Sequence, residues 1–146
     1  MQKFIMLSSP DNDKPQDIRR LSLHNTGVYD GEQVLRKDLS RLRTLAVFRK
    51  TDGVANLSFT KCKKLRLLDL ENCNGLVDRH VHEICEQLRL LKYLSLGASI
   101  TRIGRDMRHL KHLETLDLGK QTVVKVPVEV IMLPELRGCL VSWTKF

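Results

Sequence analysis

Five side chains able to ligate a metal or serve as nucleophile and base fall within a short stretch: Cys62, Cys73, His80, His82 and Cys85. Thiolate and imidazole are the ligands zinc takes in its tetrahedral sites, and a thiol beside an imidazole is the basis of cysteine nucleophilic catalysis. The spacing argues against both. The chain holds no C-x-x-C pair, the closely spaced unit from which small zinc modules are built. The other histidines, His24, His109 and His112, stand in polar contexts, and no G-x-S-x-G elbow presents a nucleophile on a strained turn. A phosphate cradle is also missing: Gly119-Lys120 is the one Gly-Lys pair, and position 114 is glutamate, so G-x-x-x-x-G-K-[ST] is not formed. Neither catalysis, nor a metal, nor a cofactor is expected.

Charge and composition narrow the classes further. The 146 residues carry a formal net charge of +8 and a sequence pI near 9.6. That balance permits contact with nucleic acid or an anionic membrane without requiring either. The densest basic run, Lys61, Lys63, Lys64 and Arg66, reads as a solvated loop. The opening MQKFIMLSSP has only four consecutive apolar residues, too few for a secretion signal, and no stretch approaches the length of a membrane span. A reducing, cytoplasmic setting is expected, in which the cysteines stay as thiols. Aromatic residues make up 5% of the chain, so its core must be aliphatic, with leucine foremost.

The leucines recur in a fixed pattern. Leu65, Leu68 and Leu70 precede Asn72-Cys73 and Leu76, which fits L-x-x-L-x-L-x-x-N/C-x-L, the template of leucine-rich repeats. Leu91, Leu94 and Leu96 repeat it with Ser99 at the polar position, and Leu113, Leu116 and Leu118 with Gln121. Earlier copies are Ile18, Leu21, Leu23 and Leu42, Leu45, Val47; a degraded one is Leu136, Cys139, Val141. The second position of each copy, Leu21, Leu45, Leu68, Leu94, Leu116 and Cys139, advances by 24, 23, 26, 22 and 23 residues. One match in a leucine-rich chain would carry little weight, but several in register define the architecture. L-x-L has the period of a strand, so both leucines of each copy face one side. No single repeat can bury them, whereas stacking does. The expected fold is an α/β leucine-rich-repeat solenoid, with short parallel strands on the concave face and helices and irregular turns on the convex face.

The segments that return along the convex face differ. Val77, Val81, Ile84, Cys85 and Leu88 share one helical face behind Asp78, a candidate N-cap. The run from Gly31 places Val34, Leu35, Leu39 and Leu42 similarly. Ile100, Ile103, Met107 and Leu110 follow Leu96, and Val123, Val126, Val130 and Leu133 follow Leu118. Pro127 and Pro134 restrict the last of these to short helical turns. The repeats should span residues 18–141, five clear and a sixth degraded, between an irregular segment 1–17 and a tail 142–146. Nothing after the sixth strand would cover its edge, so self-association or membership of a longer chain is expected.

The wording of the repeats adds a resemblance. RRLSLHN at Arg19–Asn25, LSRLRTL at Leu39–Leu45, LLDLENCNGL at Leu67–Leu76, LKHLETLDL at Leu110–Leu118 and the VVKVPVEVIMLPEL that follows resemble the leucine-rich-repeat region of plant nucleotide-binding immune receptors of the coiled-coil type, especially those of grasses. The likeness covers about Ile18 to Leu140. It departs at Ile103-Gly104, where the family usually has Leu-Pro, and at Arg137-Gly138-Cys139-Leu140, which carries an extra glycine. What it implies is a sensor or autoinhibitory binding module, possessing neither the coiled coil nor the nucleotide-binding part and so suited to signal through a nucleotide-binding receptor module; the alternatives are a generic intracellular leucine-rich-repeat adaptor and, behind it, a basic nucleic-acid-binding protein.

A binding site is then expected on the concave sheet, whose residues flank the inward leucines. It presents three acids, Asp69, Glu71 and Asp117, and one arginine, Arg20. A polyanion would find little purchase there, so a protein partner is expected rather than nucleic acid or membrane. The candidate contacts are Phe48, Leu67, Asp69, Glu71, Tyr93, Ser95, Thr115 and Asp117. Phe48, Leu67 and Tyr93 would form an anchor patch for the partner; alternatively, Leu67 and Phe48 shield each other or are covered by a neighbouring segment. Strict alternation also puts Ser95 on the open face, where an aspartate should be tolerated.

Overall fold

Each L-x-L lies in a short strand. The computed structural model describes residues 18–24, 38–48, 58–73, 75–97, 100–119 and 125–141. Its strands are β1 (Arg20–His24), β2 (Thr44–Phe48), β3 (Leu67–Asp69), β4 (Tyr93–Ser95), β5 (Thr115–Leu118) and β6 (Gly138–Val141). They form one six-stranded sheet in chain order, with every neighbouring pair parallel. The register marks pair directly: Leu21 with Leu45, then Leu68, Leu94, Leu116 and Cys139. The five leucines are buried, whereas Cys139 is exposed. The last repeat therefore keeps the strand register without the buried side chain.

Two backbone devices recur along the described repeats. The N–H of the first template leucine donates to the carbonyl three residues earlier: Leu42 to Leu39, Leu65 to Cys62, Leu91 to Leu88, Leu113 to Leu110 and Leu136 to Leu133. That tight turn brings the chain from the convex layer into the sheet. The carbonyl just before each strand then accepts two N–H groups from the next repeat. Arg19 takes those of Arg43 and Thr44, Arg66 those of Lys92 and Tyr93, and Glu114 those of Arg137 and Gly138. Buried backbone polar groups are thus satisfied between repeats as well as within them.

The convex layer is less regular. A 3-10 turn spans Phe59–Lys61, helix α1 spans Asp78–Gln87, a second 3-10 turn spans Arg105–His109, and α2 covers Val128–Ile131. In α1 the expected face packs inward through Val81, Ile84, Cys85 and the following Leu88. Val77 departs from the expectation: it is the N-cap residue and is about half exposed. Asp78 accordingly does not cap the helix but begins it. The cap contact comes from His80, whose Nδ1 accepts the Val77 N–H at 2.9 Å, and His80 is buried beneath the turn. Ile100, Ile103, Met107 and Leu110 are all buried, as are Val130 and Leu133. α2 is one short turn after Pro127, the limit the prolines set.

Two glycines answer to geometry. Gly75 has φ of 77°, a left-handed conformation open to glycine at little cost. At Gly97 a Cβ would sit 3.1 Å from the carbonyl oxygens of both Leu70 and Cys73, so a side chain there would press on the preceding repeat. The irregular segment 1–17, the run 31–37, Ser99, Gln121, Val123 and the tail 142–146 lie outside the described residues.

Candidate functional site

Strand alternation and register together build the concave surface from two rows. Thr44, Leu67, Tyr93 and Thr115 pair across β2 to β5, and two residues along, Ala46, Asp69, Ser95 and Asp117 do the same. The sheet therefore brings Leu67, Asp69, Tyr93, Ser95, Thr115 and Asp117 into one patch over three adjacent strands. Glu71 follows directly behind β3. Phe48 ends β2 opposite His24, beyond the last residue of β3, and its side chain lies outside what the structure describes.

Within the patch, polar groups hold one another. Asp69 Oδ1 accepts the Glu71 N–H at 3.1 Å, and Asp117 Oδ1 accepts the Gly119 N–H at 2.8 Å. Each aspartate thus fastens the turn that leaves its strand, a structural role that accounts for part of its presence. Ser95 sits between them and is only 1% exposed, against the expectation that it would stand open. It interacts with the side chains of Asp69, its cross-strand partner, and of Tyr93. That burial should make Ser95→Asp a costly change rather than a tolerated one.

The electrostatics are those of a crowded acidic surface. Burial is the main cause that raises the pKa of Asp69 above the usual carboxylate range, and the charges of Glu71 and Asp117 add to it. Burial likewise raises the Tyr93 phenol, followed by the charges of Asp117 and Asp69. A lysine or arginine delivered here by another molecule would relieve both the repulsion and the cost of partial desolvation.

The cysteine and histidine set does not converge. Cys62, Cys73 and Cys85 are buried in the hydrophobic core. Burial is the first cause that pushes the Cys62 and Cys85 thiols up to about 12, far from a reactive thiolate. Cys62 Sγ points at the Phe59 carbonyl and Cys85 Sγ at Met107 Sδ. His80 serves the helix start, whereas His82 is exposed and faces Asp106.

Two features escaped the reading of the sequence. The first is a column of charge. The residue that leads each strand is Arg19, Arg43, Arg66, Lys92, Glu114 and Arg137, joined in order by the interrepeat backbone bonds. All five cations are exposed, and Lys92 Nζ lies 3.8 Å from Glu114. These five cations line the N-terminal end of the strands, while Asp69 and Asp117 stand toward the C-terminal end. Aligning the repeats on their leucines would have exposed this column. The second is a set of convex carboxylates that reach neighbouring repeats. Glu83 accepts the Phe59 N–H, Asp78 accepts the N–H groups of Thr101 and Arg102, and Glu129 meets Arg105. No fixed spacing in the sequence announces these.

Comparison with known proteins agrees with this geometry. The family model described as "Leucine-rich repeat region" matches residues 41–146. The chain is 46% identical over 133 residues to "Disease resistance protein RGA4" of Oryza sativa subsp. japonica, covering 91% of this chain and 13% of that protein. It is 34% identical over 135 residues to "Disease resistance protein Pik-2" of the same organism, 92% of this chain and 13% of the relative. With "Disease resistance protein Pik-1", also from that organism, it shares 38% identity over 114 residues, 77% of this chain and 10% of the relative. The chain therefore spans about one eighth of the length of the first two.

Proposed function

The chain belongs to the leucine-rich-repeat family, among the repeat regions of plant disease resistance proteins, and from that premise we propose that its concave sheet is the recognition surface of an immune-receptor module. The partner is a protein that offers a lysine or arginine within an apolar patch. The observation that carries this reading is the registered cluster of Asp69, Ser95 and Asp117 beside Leu67 and Tyr93. Fastening the turns uses one oxygen of Asp69 and one of Asp117, and the charge they share with Glu71 is what a cationic partner would meet. Binding there would be passed to a nucleotide-binding receptor module, the part that the resemblance to plant receptors supplies. The module works in the cytoplasm and is not itself a catalyst. No helix among the described residues is long and apolar enough to cross a membrane.

Affinity capture from plant extract with the chain as bait, followed by affinity measurement on the recovered partner, tests the proposal. Asp69→Asn keeps the acceptor that fastens the turn while removing the charge. Combined with Tyr93→Ala, it should weaken binding by about thirtyfold, corresponding to about 2 kcal/mol at an interface centre. Unchanged affinity would place the site elsewhere. Asp69→Lys reverses the charge but also removes the Glu71 contact, so it is the less clean variant. The column from Arg19 to Lys92 favours a second reading, a polyanion along the N-terminal end of the strands. A steep fall in affinity with the logarithm of salt concentration, kept in the Asp69 and Tyr93 variants, would identify it.

A further inference from the structure

We propose that His82, Glu86 and Asp106 form a zinc site on the convex face, clamping α1 of one repeat to the 3-10 turn of the next. His82 and Glu86 stand four apart on α1 and so share a helical face. Asp106 belongs to the following repeat, and its Oδ2 lies 2.6 Å from His82 Nδ1. One donor atom from each of the three falls within 4.8 Å of the other two. An imidazole nitrogen with two carboxylate oxygens is a donor set zinc accepts, leaving a fourth position for water. The set is not a patch of acids alone: the imidazole selects a borderline metal over hard magnesium or calcium.

Zinc holds nitrogen and oxygen at about 2.0–2.2 Å, which sets tetrahedral donors about 3.4 Å apart. The ion would therefore replace the His82–Asp106 hydrogen bond and part those two atoms while Glu86 draws in, and all three side chains have solvent on one side in which to move. Behind the set, His109 Nδ1 lies 2.8 Å from Glu86 Oε1. That nitrogen is buried and makes no hydrogen bond, so the close approach is off the line along which the ring donates. Were Glu86 to turn toward a metal, its outer oxygen would be free to align with that nitrogen, the kind of partner metal-bound carboxylates have. Arg102 lines a shallow cavity together with His82 and Asp106, and Arg89 lies 3.7 Å from Glu86. Their charge opposes the cation, and affinity is therefore moderate. Residues 82 and 106 meet only when two repeats are stacked, so the ion binds the folded register and stabilises it.

The test is titration of zinc chloride into the 146-residue chain, followed by calorimetry and by melting. A Cys139→Ser background removes the exposed thiol. One ion per chain and a raised Tm are expected, with magnesium chloride giving neither. His82→Ala and Asp106→Asn should each weaken zinc binding by more than about tenfold. His82→Cys, which restores a ligand, should keep it, as should His112→Ala, which alters another exposed histidine beside a glutamate. The substituted side chains are exposed or partly so, and circular dichroism verifies that the variants fold. The proposal is overturned by absence of zinc binding, by wild-type affinity in His82→Ala, or by equal loss in His112→Ala, the mark of adventitious binding.

Discussion

The two faces of this solenoid are held by different means. On the concave side the same backbone bonds recur from repeat to repeat, and the leucines beneath pair in one register from Leu21 to Leu116. On the convex side the described return segments vary: a three-residue 3-10 turn, a ten-residue helix, a five-residue 3-10 turn and a single helical turn follow one another. There the joints are individual side chains, such as Asp78 on Thr101 and Arg102, or Glu83 on Phe59. Periodic apolar burial maintains one face, while pairwise polar contacts adjust the other. The concave face should therefore fail as a whole and the convex face joint by joint.

Substitutions can break or sharpen that contrast. The largest effect is expected for Leu94→Asp, which buries a carboxylate at the centre of the leucine row. Several kcal/mol against a total of roughly 5–15 should abolish the cooperative melt. Ser95→Asp, one residue along, should cost about 3 kcal/mol by placing a charge beside Asp69 and Tyr93. A Tm equal to wild type would show that the concave face is more open than its packing indicates. On the convex side, Asp78→Ala removes the acceptor for three groups of the next repeat. Because the site is exposed, a loss of about 1 kcal/mol is expected from urea melts, with local rather than global loss of hydrogen-exchange protection.

A gentler probe is pH. The pKa of Asp69 is raised in the folded chain, so the fold binds this proton more tightly than the unfolded chain does. Stability then falls as pH rises from the ordinary carboxylate value through the raised one, and returns on acidification across that window. Asp69→Asn should flatten this part of the profile, and an unchanged slope would assign it to other groups. The smallest effect is expected for Cys139→Ser, on the exposed register mark of β6. A change within about 0.5 kcal/mol would set it apart from the buried cysteines.

How much of this was legible in the sequence follows from the same contrast. Leu68, Leu94 and Leu116 were readable because a strand of period two repeating every 22 to 26 residues leaves one face for its leucines. The helix from Asp78 was readable because Val81, Ile84, Cys85 and Leu88 keep helical spacing. His80 and Asp78 exchanged the roles that propensity would assign, since capping depends on which side chain reaches the free N–H rather than on residue type alone. Ser95 was misplaced because alternation says which face a residue takes, not whether it stays open to solvent there. The meeting of His82 with Asp106 depends on the stacking of two return segments of different shape, and that is written in no single repeat.

The backbone bonds that join Arg19, Arg43, Arg66 and Lys92 have a further consequence. They fix the spacing of the charged column at the strand separation of about 4.8 Å, well inside a Debye length of about 8 Å at physiological ionic strength. Each cation therefore feels its neighbours, and the column behaves as a short line of charge rather than as four independent points. Duplicating a repeat would lengthen that line by one fixed increment and leave the rest in place, so the electrostatic reach of such a column can grow by counting repeats, with no redesign of any one of them.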